Sequence, residues 1–164
     1  MNAPLQNNRF LQACLRQATD YTPIWLMRQA GRYLPEYRAT RAKAGSFLNL
    51  LKTPDLASEV TVQPVDILNV DAAILFSDIL VIPDALGQHV NFESGHGPAL
   101  DALKEPSDIA RLSLGKLKTR LSPVYDALTL TRSKLDGDTA LIGFAGAPWT
   151  IACYMIEGAG SATF

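Results

Sequence analysis

The sequence predicts an α/β fold in which parallel β-strands alternate with helices. Three short and wholly apolar runs, at 24–27, 72–76 and 141–144, are separated by segments with helical patterns. Uninterrupted apolar strands are typical of parallel sheets that helices cover. Each run leads directly into polar or glycine-rich residues, which favours a site at the carboxyl edge of the strands. The three groups expected at that edge are Arg28-Gln29, Ser77-Asp78 and Gly146-Ala147-Pro148.

In the first half of the chain, caps and prolines predict the helices. Asn8 is placed to cap a short helix that carries an apolar stripe through Leu15. Pro35 suits the first position of a helix over 36–44 that Gly45 ends. A further helix begins at Thr53-Pro54-Asp55, and Pro64 should bend or break it.

The second half predicts shorter elements. The apolar stretch 79–86 contains a proline and favours a short buried helix or a loop over a strand. Weak alternation over 90–100, around Gly95-His96-Gly97-Pro98, predicts a hairpin. A short helix is expected over 107–111, and a long amphipathic one over 116–135 against the mild objection of Pro123. A last helix should follow Pro148 and run to about Glu157.

Composition and charge exclude several classes of function. The formal net charge is −1, apolar residues make up 48% and charged residues 19%, which suits one domain with a real core. No apolar run approaches the ~18 residues that a membrane span needs, and no basic stripe suits nucleic acid. Cys14 and Cys153 match no metal spacing, so we expect no metal and reduced thiols in a cytoplasmic protein.

The segment after the first apolar run concentrates positive charge. Four arginines and Lys43 lie between residues 28 and 43, against one acid, Glu36. The planar donor fork of arginine suits carboxylates and phosphates, so a small polyanion is the expected partner. The alternative is a helix surface on which Arg28, Arg32 and Glu36 form ion pairs. Gly31 argues against a continuous helix and indicates a turn or a close approach to a ligand.

Asp78 and Tyr154 are two further candidates. Asp78 lies between apolar runs, and a carboxylate among apolar groups needs hydrogen-bond donors or a cation. It is therefore either a structural partner of an arginine or an acceptor held ready for a ligand. Tyr154 follows the third strand on an apolar helix, where core packing is the simpler interpretation.

Long segments of this sequence resemble the uroporphyrinogen decarboxylases of the haem pathway. The matching strings are PIWLMRQAGRYLPEYR at 23–38 and IGFAGAPWTIACYMIEG at 142–158, with agreement also over 72–87. The resemblance implies a (β/α)8 TIM barrel, of which residues 1–164 would supply the N-terminal part, about three βα units and a hairpin excursion. It also implies a homodimer at full length, and conversion of uroporphyrinogen III to coproporphyrinogen III by loss of four acetate carboxylates, without cofactor or metal.

The resemblance assigns roles to the residues of the basic segment. Arg28 and Arg32 correspond to arginines that hold and activate substrate carboxylates, and Arg41 to a further carboxylate contact. Gln29 and Ala30 correspond to contacts of the cleft wall.

Three residues from the later strands also gain roles by resemblance. Asp78 corresponds to the aspartate that accepts pyrrole N–H groups, Tyr154 to a tyrosine near the reacting acetate, and Phe144 to a packing face for the macrocycle. The expected catalytic residues are thus Arg28, Arg32, Asp78 and Tyr154.

The chain also departs from the family pattern. The later serine and the C-terminal histidine of the family site have no counterpart, and most of the barrel is missing. We therefore expect an open strand edge, an exposed apolar face and no useful turnover from these residues alone. One rival is a corrinoid-linked methyltransferase of the same superfamily. Such enzymes bind zinc through His and Cys ligands, and this sequence contains no HxC pair or cysteine cluster. The other is a non-catalytic fragment that binds polyanions or porphyrinogens.

Overall fold

The computed structural model describes residues 9–92 and 97–160, which form two compact units. The first unit comprises the described residues of Met1–Phe76 and Pro123–Phe144. The second comprises those of Ser77–Ser122 and Ala145–Phe164. The predicted cap Asn8 and the hairpin turn at Gly95-His96 lie outside the described residues.

Over the described ranges the chain forms short strands and helices of mixed length. The helices are α1 (Arg9–Cys14), α2 (Pro35–Ala44), α3 (Phe47–Lys52), α4 (Pro54–Leu68), α5 (Val81–Leu86), α6 (Pro106–Ile109), α7 (Leu117–Arg120), α8 (Ser122–Lys134) and α9 (Pro148–Glu157). The strands are β1 (Ala72–Ile74), β2 (Val90–Phe92), β3 (Pro98–Leu100) and β4 (Ala140–Ile142).

The first unit contains a parallel pair of strands, β1 and β4, as the sequence predicts. Ala72 lies opposite Ala140, and Ile74 opposite Ile142. At the two ends of the pair, the N–H of Ala140 donates to the Asp71 carbonyl (3.1 Å) and the N–H of Leu75 to the Ile142 carbonyl (3.0 Å). Between these strands in sequence lie the Ser77–Ser122 part of the second unit and α8, and they supply the long crossover that parallel strands require.

The predicted strand over 24–27 does not form. Its one main-chain hydrogen bond to the neighbouring strand region runs from the Asp71 N–H to the Ile24 carbonyl (2.8 Å), and one such bond does not make a ladder. All four side chains are exposed, Met27 by 79%. The apolar run therefore indicated burial that these residues do not have. Trp149 on α9 in the second unit is exposed by 75%; that large apolar side chains form an open face stays a prediction.

Two predicted helices differ from the observed ones because of how proline is accommodated. α4 continues through Pro64 to Leu68, so of the predicted bend or break the break does not occur; Pro64 and Val60, four residues earlier, are both fully buried. The single helix expected over 116–135 is two helices, because Pro123 lies in the first turn of α8, where its missing N–H costs nothing. No helix among the described residues has the length and apolarity to span a bilayer.

The sequence interpretation missed α3. Its signal is Ser46, whose Oγ accepts the N–H of Asn49 at 3.0 Å and caps the helix before the apolar run FLNLL. Leu50 from α3 is fully buried with Val60 of α4. The same cluster holds Leu34 and Tyr37, so one of the core clusters of the first unit lies next to the segment that carries Arg28 and Arg32.

The second unit is built around a smaller apolar cluster. Leu80, Val90 and Leu100 form it, and Ile79 and Tyr154 pack against it. The hairpin of antiparallel strands β2 and β3 confirms the prediction for 90–100.

Asp71, just before β1, ties together segments that are distant in sequence. Its Oδ1 accepts the Tyr21 hydroxyl (2.8 Å) and Arg9 Nη1 (3.3 Å), and its Oδ2 accepts the N–H of Ile24 (2.7 Å). Arg9 also forms an ion pair with Asp20 at 2.5 Å. The Asp71 side chain is 12% exposed, so water cannot readily replace these donors.

We expect Asp71→Ala to lower the free energy of unfolding by about 1–3 kcal/mol, because it leaves the Ile24 N–H and the Tyr21 hydroxyl without their acceptor. Urea unfolding followed by circular dichroism measures the change. Asp66→Ala, at an exposed acid near the end of α4, is the control and should change stability little. Equal unfolding midpoints for the two variants would contradict this role of Asp71.

Candidate functional site

The arginine segment, residues 28–34, is a folded turn and not a helix. α2 begins only at Pro35, so the alternative of a helical ion-pair ladder through Arg28, Arg32 and Glu36 is wrong. The N–H of Leu34 donates to the Gly31 carbonyl (3.0 Å). Arg38 Nη1 donates to the Arg32 carbonyl (3.1 Å). These bonds fix the main chain that carries Arg28 and Arg32.

Gln29 attaches the segment to β1. Its side chain is 3% exposed. Its Nε2 donates to the Ala72 carbonyl (2.5 Å), and its Oε1 accepts the N–H of Ile74 (2.8 Å). The amide of this predicted wall residue therefore bonds to the protein main chain through both of its polar atoms.

Gly31 is explained by a close neighbour within the segment. A Cβ added there would lie 3.2 Å from two ring carbons of Tyr33, which is tighter than most real contacts. The Tyr33 hydroxyl donates to the Gln29 carbonyl and holds the ring in that place. The sequence interpretation singled out Gly31 but missed Tyr33, whose position two residues later was the available signal.

The guanidinium groups of the segment point to solvent. Arg28 and Arg32 are exposed and Arg41 on α2 is partly buried. None of the three has an acidic partner within 4.0 Å among the described residues of its own unit. Burial raises the pKa of the Tyr37 phenol, and the positive charges of Arg41 and Arg32 oppose that rise.

Two predicted contact residues lie in the same unit. Ala30 packs partly buried against the core cluster of Leu34 and Tyr37. Phe144, two residues beyond the end of β4, is 43% exposed. An exposed ring after a strand end remains open to a ligand.

Asp78 belongs to the second unit and is partly buried, as its apolar flanks predict. Its Oδ1 accepts the N–H of Leu80 at 2.8 Å. Burial raises the pKa of the carboxyl group above its ordinary value, and the hydrogen bond from Leu80 offsets this only in part. The ionised form is thus under-solvated, which favours an added hydrogen-bond donor.

Tyr154 and the glycine turn before α9 approach the neighbours of Asp78. Tyr154 and Ile79 both pack against the cluster that contains Leu80; Ile79 and Leu80 are the two residues after Asp78. A Cβ added at Gly146 would lie 3.1 Å from the Ile79 Cβ and 2.8 Å from Ile151 Cγ1. The second unit therefore brings together two of the three predicted strand-end groups; that the arginine segment shares their edge stays a prediction.

The fold and these groups define the class: an α/β protein that presents exposed arginines on one unit and a partly buried acid on the other. The family described as uroporphyrinogen decarboxylase (URO-D) matches residues 5–164. The uroporphyrinogen decarboxylase of Polaromonas sp. (strain JS666) is 59% identical over 98% of this chain, and that of Janthinobacterium sp. (strain Marseille) 58% over 99%. The chain belongs to the uroporphyrinogen decarboxylase family.

The chain spans less than half the length of these relatives, 44% of the first and 45% of the second. A solved structure of a methyltransferase from Methanosarcina mazei is similar to this chain with a TM-score of 0.71. The match covers 91% of this chain and 44% of the methyltransferase chain, and at 19% identity it shows a likeness of fold. The predicted fold class is confirmed: the chain is part of a (β/α)8 barrel. Among residues 9–92 and 97–160, no three His, Cys, Asp or Glu side chains are grouped to hold a metal ion.

We expect Asp78→Asn to raise the thermal midpoint at neutral pH. Because the pKa of Asp78 is raised in the folded state, folding favours the protonated carboxyl group. The stability that the protonated group contributes is complete below the ordinary Asp pKa, and it is lost as the pH rises through the pKa of the folded state. Asparagine keeps the Leu80 hydrogen bond without the charge.

Calorimetry at several pH values measures this difference, which should shrink towards zero below about pH 4. Asp126→Asn, at an exposed acid on α8, is the matched control and should shift the midpoint little at any pH. A lower midpoint for Asp78→Asn at neutral pH would contradict the expectation.

Proposed function

We propose that this chain supplies the carboxylate-binding part of an enzyme that removes the four acetate carboxylates of uroporphyrinogen III and yields coproporphyrinogen III. The observation that carries the proposal is the arginine segment: its main chain is fixed on β1 and the core, while Arg28 and Arg32 have no acidic partner within 4.0 Å among the described residues of their unit. Family membership supplies the substrate class.

Arg28, Arg32 and Arg41 bind carboxylates of the substrate in this proposal. Each guanidinium can donate two parallel hydrogen bonds to a carboxylate, which orients as well as attracts it. Ala30 forms part of the wall, and Phe144 offers an apolar face to the macrocycle. Holding the acetate groups in place converts binding energy into orientation for the reaction.

In this proposal Asp78 accepts hydrogen bonds from the pyrrole N–H groups, and Tyr154 lies near the reacting acetate. Protonation of the ring α-carbon next to the carbon that bears the acetate makes the ring a cationic, conjugated iminium, and the bond between the acetate methylene and its carboxylate then breaks. CO2 leaves, and the electron pair of that bond passes to the ring to give an exocyclic methylene. A proton added there, with the first lost from the ring, leaves a methyl group.

The charge of Asp78 stabilises the cationic ring, because a carboxylate in a partly dry site acts more strongly than one in water. The substrate provides its own electron sink, so the proposal needs no organic cofactor. The guanidinium group of arginine stays protonated near neutrality, so arginine is a poor general acid and is not the proton donor in this proposal.

The complete enzyme is proposed to be a cytoplasmic homodimer that binds neither nucleic acid nor membrane. A fragment that binds porphyrinogens without releasing CO2 is the alternative for the 164-residue polypeptide. The two differ in turnover and not in binding, so both measurements are needed.

We expect Arg28→Gln and Arg32→Gln each to weaken binding of uroporphyrin, the oxidised and fluorescent form of the tetrapyrrole, by about tenfold. The reason is the loss of a charged fork from a carboxylate contact, and fluorescence titration measures it. Lys134→Gln, at an exposed cation on α8 in the same unit, is the control and should bind like the unchanged chain. Equal affinity for all four proteins would overturn the proposed site.

Turnover is tested in a chimaera in which residues 1–164 replace the matching part of the Polaromonas relative. We expect the chimaera to form coproporphyrinogen, and Asp78→Asn to lower its kcat by about 10²–10³ through loss of the charge. The 164-residue polypeptide alone should form no product. Chromatography of the oxidised products measures all three.

Near-normal kcat for Asp78→Asn in that chimaera would remove the electrostatic role. Product from the polypeptide alone would support the decarboxylase assignment and contradict its dependence on the rest of the enzyme.

A further inference from the structure

The edge of β1 that faces away from β4 is filled by a side chain. In a strand, the main-chain groups of successive residues point to opposite edges. The Asp71 carbonyl and the Leu75 N–H pair with the β4 strand, so the groups of Ala72 and Ile74 point the other way. Those are the groups that the Gln29 amide binds.

A primary amide carries an N–H donor and a carbonyl acceptor, as a peptide unit does. In the side-chain amide both groups can point to the same side, so Gln29 takes the place of the N–H and C=O that one residue of a neighbouring parallel strand would present to this edge. Exposed strand edges need such cover. This accounts for a buried polar side chain in a segment whose neighbours Arg28 and Arg32 are exposed.

We propose that Gln29 is a positioning residue: its amide, bound to the main chain of β1, sets the place and orientation of the arginine segment before any ligand arrives. This inference rests on the proposed function, in which Arg28 and Arg32 bind substrate carboxylates. It gives Gln29 a role through these arginines and not through direct contact.

The contacts around Gln29 support a pre-formed segment. The Gln29 carbonyl accepts the Tyr33 hydroxyl, and the Tyr33 ring covers Gly31. Leu34 closes the turn through the Gly31 carbonyl and is buried in the core of the first unit, with 5% of its surface exposed. The segment is thus attached at its start through Gln29 and at its end through Leu34.

The first test needs no ligand. In Gln29→Met, of similar size but without the amide, hydrogen exchange measured by mass spectrometry should accelerate about tenfold at Ile74 and across residues 28–34. Gln88→Met is the matched control: Gln88 is equally buried and its Nε2 donates to the Asp101 (2.7 Å) and Met155 (3.0 Å) carbonyls of the second unit. Unchanged protection at Ile74 and 28–34 in Gln29→Met would overturn the proposal.

The second test uses pH and does not depend on Gln29→Met folding. In Gln29→Glu, the protonated carboxyl can donate to Ala72 and accept from Ile74, whereas the ionised form repels the Ala72 carbonyl. Uroporphyrin affinity relative to the unchanged chain should be about tenfold lower near pH 8 and should recover towards pH 6. A ratio that does not vary with pH would contradict a positioning role.

The arginine variants separate the two ideas. If Arg28→Gln and Arg32→Gln lose affinity but the Gln29 variants do not, the positioning role fails and the proposed function stands. If the arginine variants bind uroporphyrin like the unchanged chain, the proposed function fails, while the exchange experiment still decides whether Gln29 holds the segment.

Discussion

The hydrogen-bonding demand of the β1 edge is the constraint on which the first unit depends. A strand of three residues has few ladder bonds, and unpaired main-chain groups beside a buried core are costly. The Asp71 carboxylate accepts the N–H of Ile24, and the Gln29 side-chain amide forms hydrogen bonds with the main chain of Ala72 and Ile74 in β1. Residues 24–29 are therefore attached at both ends without forming a strand. The position of the arginines follows from that attachment.

Much of the fold could be predicted because local signals agreed with tertiary packing. A proline in the first turn and a glycine after the last turn predicted the bounds of α2 correctly, and apolar runs predicted the positions of β1 and β4. The run at 24–27 is equally apolar, but whether an apolar run forms a strand depends on neighbouring segments that pair with it, and the run itself does not show these. α4 continuing through Pro64 is the same lesson: packing outweighed a local preference.

The site was predictable as residue types and less so as contacts. The partly buried state of Asp78 follows from its apolar flanks, and the exposure of Arg28 and Arg32 from their charge. The sequence could not show that Gln29 bonds to β1, 43 and 45 residues away, because such pairing leaves no local pattern. It likewise could not show that Gly31 makes room for the Tyr33 ring.

The contacts of Asp71 also constrain the order in which the chain folds. Arg9 and Asp71 are 62 residues apart, and closing so long a loop costs entropy before it gains any contact. During synthesis from the N-terminus, α1 and the stretch through Ile24 have no acceptor at Asp71 until that residue has been made. α1 and the residues through Ile24 therefore form these contacts only after Asp71 has been synthesised, and until then their apolar side chains are accessible to other molecules.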